Sequence, residues 1–372
     1  MSLELAAFVA VAVLIALAVL GAVAFWRGHR RIGTGLLVLV LLAVGGSGAY
    51  AWQLGAKVGD IERVKVPAGF DTGRPPDEPG QALTVLLLGT DNPHPREDKP
   101  TVAELLAAST WNPGAYRSDS LMLVRIAADR RSAEVVSIPR DSYVPILDAE
   151  GVPHGSNKIN AAFSLYGPFG TVRTVEELTG MHIDHLAIVD FEGFRDLTTA
   201  LGGVDVYVPE HVYDPYQKQD WPQGWNHIEG DLALKYVRMR HNLAQGDFDR
   251  VRRQQNFLRA VLTKLTDAGT LANPLTVGKV VDAVVGNLTV DDRWTDGDIR
   301  GLAIQLRHLR RNDIVFATLP LDHYETIPGV GDANILDPAR VRELFGAVQR
   351  GRLSAYLEKY PEDGLAGEKG VR

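Results

Sequence analysis

The chain has 372 residues, with 46 Asp and Glu against 39 Lys and Arg, a formal net charge of −7 and 45% apolar residues. That length fits two ordinary domains or one large domain with an appendage, and the acidic balance argues against broad electrostatic binding to nucleic acid, which needs a basic excess. With no cysteine there is no disulfide framework, Cys-ligated zinc or thiol chemistry.

Leu5 to Phe25 carries no charged residue. At 1.5 Å rise per residue it spans about 30 Å, the thickness of a bilayer core. Trp26-Arg27-Gly28-His29-Arg30-Arg31 follows, then a second uncharged run from Ile32 to Trp52. The pattern predicts a hairpin of two transmembrane helices, over 5–25 and 32–52, within residues 1–52. The three arginines of the turn stay cytoplasmic by the positive-inside rule, so the N-terminus and everything after Trp52 lie outside. A cleaved signal peptide needs a basic leading segment, and Met1-Ser2-Leu3-Glu4 has none.

Residues 53–80 are rich in Pro, Gly and charge, with Val66-Pro67-Ala68-Gly69-Phe70 and then Arg74-Pro75-Pro76-Asp77-Glu78-Pro79-Gly80. They read as a linker. A main domain is expected over 81–350, and the polar residues 351–372 read as a frayed tail. Within the domain, Thr84 to Leu88 is an apolar run ending in Gly89-Thr90-Asp91, which fits a buried strand. Leu121 to Ile126 and Ala133 to Ile138 form a second and third strand, joined as a hairpin. Helices are expected over Ile159 to Tyr166 and Val172 to Leu178. A strand follows at Leu186 to Val189, then a helix at Phe194 to Leu201 closed by Gly202-Gly203, and a strand at Val204 to Val208. Further helices fall near Gly230 to Val237, Asp247 to Leu265 and Asp296 to Leu309, with a last strand at Ile314 to Leu319. Interleaved helices and strands predict an α/β/α sandwich, a central mixed sheet covered on both faces.

Ligands of such sheets bind beyond strand ends. The first strand ends at Asp91, the second is entered through Arg117-Ser118-Asp119, and the third ends at Pro139-Arg140-Asp141. Carboxylates and arginines on one rim suit a divalent cation and a phosphate, because oxygen donors hold Mg²⁺ and arginine forks match phosphate oxygens. Taken singly, each also has a plain reading as a turn former or a structural ion pair.

The densest segment is Arg238-Met239-Arg240-His241, followed by Gly246-Asp247-Phe248-Asp249-Arg250-Val251-Arg252-Arg253-Gln254-Gln255. On a helix starting at Asp247, Phe248, Val251, Leu258, Leu262 and Leu265 form an apolar stripe. Asp247, Arg250 and Gln254 lie on a neighbouring stripe, at the margin of the buried face. Gln254 and Gln255 at or beside that face need polar partners. The alternative is a solvated basic face paired with carboxylates. The His182-Ile183-Asp184-His185 string matches no metal-ligand spacing and reads as structural. Trp221 and Trp225 flank a Pro-Gly turn and read as core rather than as a sugar platform. No phosphate loop of the G-x-x-x-x-G-K-[ST] type and no G-x-S-x-G elbow occur in the outer domain.

Five stretches, in order and in combination, give the region from about Thr84 to Leu265 its resemblance to the LytR–CpsA–Psr family of bacterial cell-wall phosphotransferases. They are Leu88-Gly89-Thr90-Asp91, Arg117-Ser118-Asp119-Ser120, Ser137-Ile138-Pro139-Arg140-Asp141-Ser142, Lys158-Ile159-Asn160-Ala161-Ala162, and Arg238 to Gln254. The resemblance implies an enzyme anchored in the cytoplasmic membrane and facing outward. It transfers a glycopolymer from a polyprenyl-pyrophosphate carrier to peptidoglycan through a phosphodiester link, with the lipid tail in an apolar cavity of the domain and Mg²⁺ at the pyrophosphate. By motif position, Asp91 and Asp119 would be the metal-side carboxylates, one of them also helping to deprotonate the acceptor. Arg117, Arg140, Arg238, Arg240 and Arg250 would hold pyrophosphate oxygens, with Asp247 and Gln254 orienting them or touching phosphate. Teichoic acid, arabinogalactan and other wall polymers stay open as cargo.

Two features depart from the family pattern. The stretch from Asn92 to Tyr116 is longer than expected, and two membrane helices stand where one is common. A lipid-pyrophosphate hydrolase using the same site, and a non-catalytic membrane-tethered regulator binding glycan or lipid, remain the alternatives. Acceptor choice depends on groove shape, which the sequence does not give.

Overall fold

The computed structural model describes residues 53–77, 82–90, 102–239, 247–271 and 273–371. The expected membrane helices over 5–25 and 32–52 lie outside the described residues, as do Asp91 and Arg240. Among the described residues no helix is long and apolar enough to cross a membrane.

In chain order the strands are β1 (Glu62–Val64), β2 (Leu83–Thr90), β3 (Ser118–Ile126), β4 (Ala133–Ile138), β5 (Tyr143–Leu147), β6 (Pro153–Lys158), β7 (His185–Asp190) and β8 (Val204–Val208). They continue with β9 (Val212–Asp214), β10 (Gln219–Trp221), β11 (Gly224–Ile228), β12 (Leu288–Asp291), β13 (Ile314–Thr318), β14 (Leu321–Ile327) and β15 (Gly331–Leu336). The α-helices are α1 (Val102–Ala107), α2 (Asn160–Thr179), α3 (Phe191–Leu201), α4 (Gly230–Arg238) and α5 (Asp247–Leu265). After them come α6 (Ala268–Leu271), α7 (Pro274–Val285), α8 (Asp296–Gln305), α9 (Pro338–Gln349) and α10 (Leu353–Lys359).

Seven strands form one mixed sheet in the order β1-β12-β7-β2-β3-β4-β13. Its central strands are apolar on both sides because both faces are covered. Leu86, Leu88, Leu121, Leu123, Val136 and Ile138 point to one face, where Phe163, Val172 and Val175 of α2 and Leu344, Phe345 and Val348 of α9 cover them. The alternate residues Val85, Leu87, Met122, Val124, Val135 and Phe316 point to the other face. There Leu258 and Leu262 of α5 and Ile299 and Leu302 of α8 pack on them. The expected α/β/α layering is therefore present.

Beyond α5 lies a further small layer. The β8/β11 ribbon and α4 bury Val204, Val206, Val208, Ile228, Leu234 and Tyr236 against Phe257 and Val261 of α5. Thus α5 has two apolar faces, not the single stripe expected. Trp221 is 1% exposed in this layer, as expected, whereas Trp225 is 54% exposed and meets Tyr207 edge-on at 5.4 Å. The expectation of a core role for Trp225 is thereby corrected: its strand faces outward at that position.

Two boundary expectations are also corrected. Residues 53–77 are not a free linker: β1 pairs with β12 as a parallel edge strand, and Phe70 is 5% exposed in the main core. Arg74 donates to both oxygens of Glu176, Arg173 donates to the Thr72 carbonyl at 3.1 Å, and His182 meets the Pro75 carbonyl at 3.0 Å. Nor are residues 351–372 a frayed tail. Leu353 and Tyr356 of α10 enter the core, and Val371 is 1% exposed. Pro, Gly and charge suggested loose chain, but buried ion pairs and a few apolar anchors hold these segments in place.

Helix α2 joins the two helices expected over 159–178. It breaks at Gly167 (φ 71°, ψ −170°), followed by Pro168. The His-Asp-His string is structural, as expected: Asp184 accepts from the Thr84 amide at 2.7 Å, and His185 stacks on Trp294 at 4.6 Å.

Candidate functional site

Strand direction brings the described strand-end residues Arg117, Asp119 and Arg140 to one rim. Parallel pairing of β2 with β7, antiparallel pairing of β2 with β3 and of β3 with β4, and parallel pairing of β4 with β13 fix the arrangement. The C-terminal ends of β2, β4, β7 and β13 and the start of β3 lie along the same edge.

The β2/β3 ladder slips at this edge. Gly89 faces Ser120, but Thr90 faces Ser118, so Asp119 is an extra residue on the β3 side. Such a bulge re-aims the side chain it carries. Asp119 forms a salt bridge with Nη1 of Arg140, and both side chains are largely buried. Arg140 Nε lies 3.5 Å from Asp141 Oδ2, and Lys158 Nζ lies 3.6 Å from Asp141 Oδ1. The start of α2 fixes the Arg140 backbone, the Asn160 amide donating to its carbonyl at 3.1 Å.

Arg117, exposed, lines a cavity of about 360 Å³ together with Arg140, Asp141, Lys158, Asn160, Ser164 and the hairpin tip Val330. Three cations (Arg117, Arg140, Lys158) thus face two carboxylates (Asp119, Asp141), a local positive excess in a chain of net charge −7. That balance suits a polyanion bound in fork geometry.

On the other side of Asp119 lies an apolar cleft between α5 and the sheet. Leu87, Gly89, Ser120, Met122, Val189, Val237, Gln254, Phe257 and Leu258 line about 40 Å³. Polar rim and apolar cleft meet at Asp119-Ser120. Asp119 pairs with Arg140 of the cavity, and Ser120 belongs to the cleft.

Helix α5 starts and ends where the sequence predicts. Arg250 is 2% exposed and Gln254 7%, one turn apart along one flank. Gln255 is fully buried and ties the helix to the sheet, its Nε2 donating to Ser137 Oγ and the Ala317 carbonyl, each at 2.8 Å. The partners demanded by a glutamine at an apolar position are therefore present for the Gln255 amide nitrogen, while its buried Oε1 has none among the described residues.

The structure separates the arginines that the sequence groups together. Arg253 points into the second layer, its Nη1 donating to Met239 Sδ at 2.9 Å and its guanidinium lying 5.3 Å from the Tyr236 ring centre. Burial lowers its pKa, against the opposing pull of Tyr236, Asp249 and Asp214. Arg252 lies 3.7 Å from Asp249. These two serve the fold. Arg238 is half-buried at the end of α4. Asp247 opens α5.

Asp141 closes the third strand-end motif of the sequence, whereas Lys158 is a rim cation that those strand-end motifs do not include. Lys158 lies in one of the matching stretches, but it ends β6, Pro153–Lys158, whose sequence has no apolar alternation to mark a strand. Its approach to Asp141 depends on the β5/β6 hairpin folding back, which has no short-range signal.

Among the described residues no group of three or more His, Asp or Glu side chains is placed to hold a metal. Mg²⁺ does not require one, since it is commonly held by one or two carboxylates plus substrate phosphates and water. Asp119, a hard oxygen donor at the cation-lined rim, fits that pattern. Asp91, the expected second donor, follows Thr90 in sequence.

This combination defines an α/β protein with a cation-lined rim beside an apolar cleft. The LytR_cpsA_psr family model matches residues 58–340, and the chain belongs to that family. It is 32% identical over 278 residues to the cell wall biosynthesis protein LcpA of Corynebacterium glutamicum, covering 68% of this chain and 52% of that protein. It is 31% identical over 257 residues to the polyisoprenyl-teichoic acid–peptidoglycan teichoic acid transferase TagU of Bacillus cereus, covering 68% of this chain and 75% of that protein. The matched part thus spans about half the length of LcpA and three quarters of TagU. The crystal structure of TagV from B. subtilis shares the fold, with a TM-score of 0.58 at 24% identity over 74% of this chain and 99% of that one.

Proposed function

We propose that this protein transfers a glycopolymer phosphate from a polyprenyl-pyrophosphate carrier to peptidoglycan. In this reading it acts on the outer side of the cytoplasmic membrane and depends on Mg²⁺. The observation that carries the reading is the Asp119–Arg140 pair, set on a strand bulge between a cation-lined cavity and an apolar cleft. A carrier lipid has the matching two-part chemistry, a pyrophosphate joined to a hydrocarbon. At about 40 Å³ the cleft is far smaller than a prenyl chain, so binding a carrier requires it to widen.

In the reaction, a hydroxyl oxygen of the acceptor attacks the phosphorus that bears the sugar. The bond from that phosphorus to the bridging oxygen breaks, and polyprenyl phosphate leaves with that oxygen. Arg117 and Arg140, joined by Arg238, Arg240 and Arg250, neutralise the charge on the pyrophosphate. Phosphoryl transfer depends mostly on such positioning and charge neutralisation. Asp119 and Asp91 would hold Mg²⁺, whose chemistry is to neutralise pyrophosphate oxygens, and one of the two would take the acceptor proton. Asp247 and Gln254, early in α5, would orient the arginines or touch phosphate.

The test is turnover of a polyprenyl-pyrophosphate glycan with Mg²⁺ by the full chain. Arg140→Ala and Asp119→Ala are each expected to lower kcat about 10²- to 10³-fold. A peptidoglycan acceptor should convert phosphate release into phosphodiester formation. A folded chain that neither binds nor turns over such carriers would refute the assignment.

A further inference from the structure

The segment before Arg117, longer than the family pattern, is docked by a specific chemical arrangement. In an unbroken helix the Ser164 carbonyl would accept from the amide of residue 168. That residue is Pro168, which has no N–H. Two donors from the preceding segment meet this carbonyl instead, Trp111 Nε1 at 3.3 Å and the Gly114 amide at 3.0 Å. The indole ring also stands edge-on to Phe163 at 5.3 Å and against Tyr116 at 4.6 Å. Tyr116 immediately precedes Arg117, and Ser164 and Arg117 line the same cavity. The break in α2 therefore serves as a receptor for the segment, and the residue that fills it stands one aromatic contact from a cation of the rim.

We infer that Trp111 is a positioning residue for Arg117, plugging the carbonyl left open at the Gly167–Pro168 break and thereby holding Arg117 at the cavity wall. The inference rests on the proposed reading of Arg117 as a pyrophosphate ligand. Trp111→Phe keeps a ring but removes the donor. Pro168→Ala restores the missing amide, which competes for the same carbonyl where Gly167 gives up its φ of 71° for a helical one. Both should loosen residues 112–118 without unfolding the domain.

Two readouts on the full chain separate this inference from the function on which it rests. Hydrogen exchange without ligand should show faster exchange at Gly114 and across 115–118 in Trp111→Phe and in Pro168→Ala, with other protection retained. Titration with farnesyl pyrophosphate should show about tenfold weaker binding for Trp111→Phe, as expected of a misplaced ligand group. Adding this change to Arg117→Ala should cost nothing further, since the two act through one side chain. Unchanged exchange, or fully multiplicative losses in the double variant, would overturn the positioning role. Farnesyl pyrophosphate binding that is unaffected by Arg117→Ala while exchange responds as expected would instead refute the phosphate role of Arg117. The segment would then be docked for another purpose.

Discussion

Arg74 sits in a Pro-rich stretch, yet its guanidinium donates to Glu176 from Nε at 3.0 and 3.1 Å and from Nη2 at 2.7 Å. The two side chains are 5% and 2% exposed. Removing Arg74 leaves the buried Glu176 only Arg173 at 4.0 Å and the Ile183 amide at 2.9 Å, so Arg74→Ala should cost about 3 kcal/mol, the low end for a broken buried pair. The exposed pair of Asp71 with Arg293 should be worth less than about 1 kcal/mol, and Arg293→Ala, which leaves the Arg74 contacts in place, is the control in urea unfolding. Glu134 supplies a pH signature. Burial raises its pKa above the usual 4.5, against the Leu353 amide and Arg125. The folded state therefore binds this proton more tightly than the unfolded state, and that contribution is complete below pH 4.5 and declines as pH rises through the raised value. Glu134→Gln should flatten the decline, so its Tm advantage grows from pH 4 to pH 7; a difference that does not change with pH would refute this. At this scale the sequence revealed Arg117, Asp119 and Arg140, because strand ends mark themselves by an abrupt change from apolar to charged residues. It did not reveal that Lys158 reaches Asp141, nor the contacts of Arg74 and Trp111, whose partners are set by chain crossings no local pattern encodes.

Helix α5 carries neighbouring glutamines with different roles. Gln255 binds the sheet through Ser137 and Ala317, while Gln254 lines the cleft beside Gly89 and Ser120. Gln255→Ala leaves buried acceptors without a donor and should cost roughly 2–3 kcal/mol, with activity lost only as folding is lost. Gln254→Ala should change stability by less than about 1 kcal/mol and weaken carrier turnover. Unfolding curves beside kcat for the two variants would expose the reverse pattern. The extent of α5 was legible because its apolar residues recur at helical spacing from Val251 to Leu265. Its second buried face was not, because the β8/β11 layer that covers it comes from a separate part of the chain. The β14/β15 hairpin was invisible for a simpler reason: Asp322 to Glu325 are exposed and carry no alternation.

For the molecule as a whole, layering could be read from interleaved elements but strand order could not. Both outer strands of the sheet pair over long separations, Glu62 with Thr289 and Ser137 with Thr318. A three-residue edge strand such as β1 has no sequence signature of its own. A chain beginning at residue 82 lacks β1, Phe70 and Arg74, and should unfold at lower urea than one beginning at 53. Removing residues 351–372 should be equally damaging, since it takes away the Leu353 amide that Glu134 accepts and the Asp363 carboxylate that meets Arg340 and Tyr356. Equal unfolding midpoints would show that the ends are dispensable.

The pairing of β1 with β12 also sets an order of events during synthesis. A ribosome releases Glu62 early but must add more than two hundred further residues before Thr289 is available to it. Until then the sheet edge beside β7 is open, and the first segment of the domain has no strand to join. A chain stalled before residue 288 should therefore leave Glu62–Val64 open to protease, although β7, β2, β3 and β4 have all their mutual partners by then.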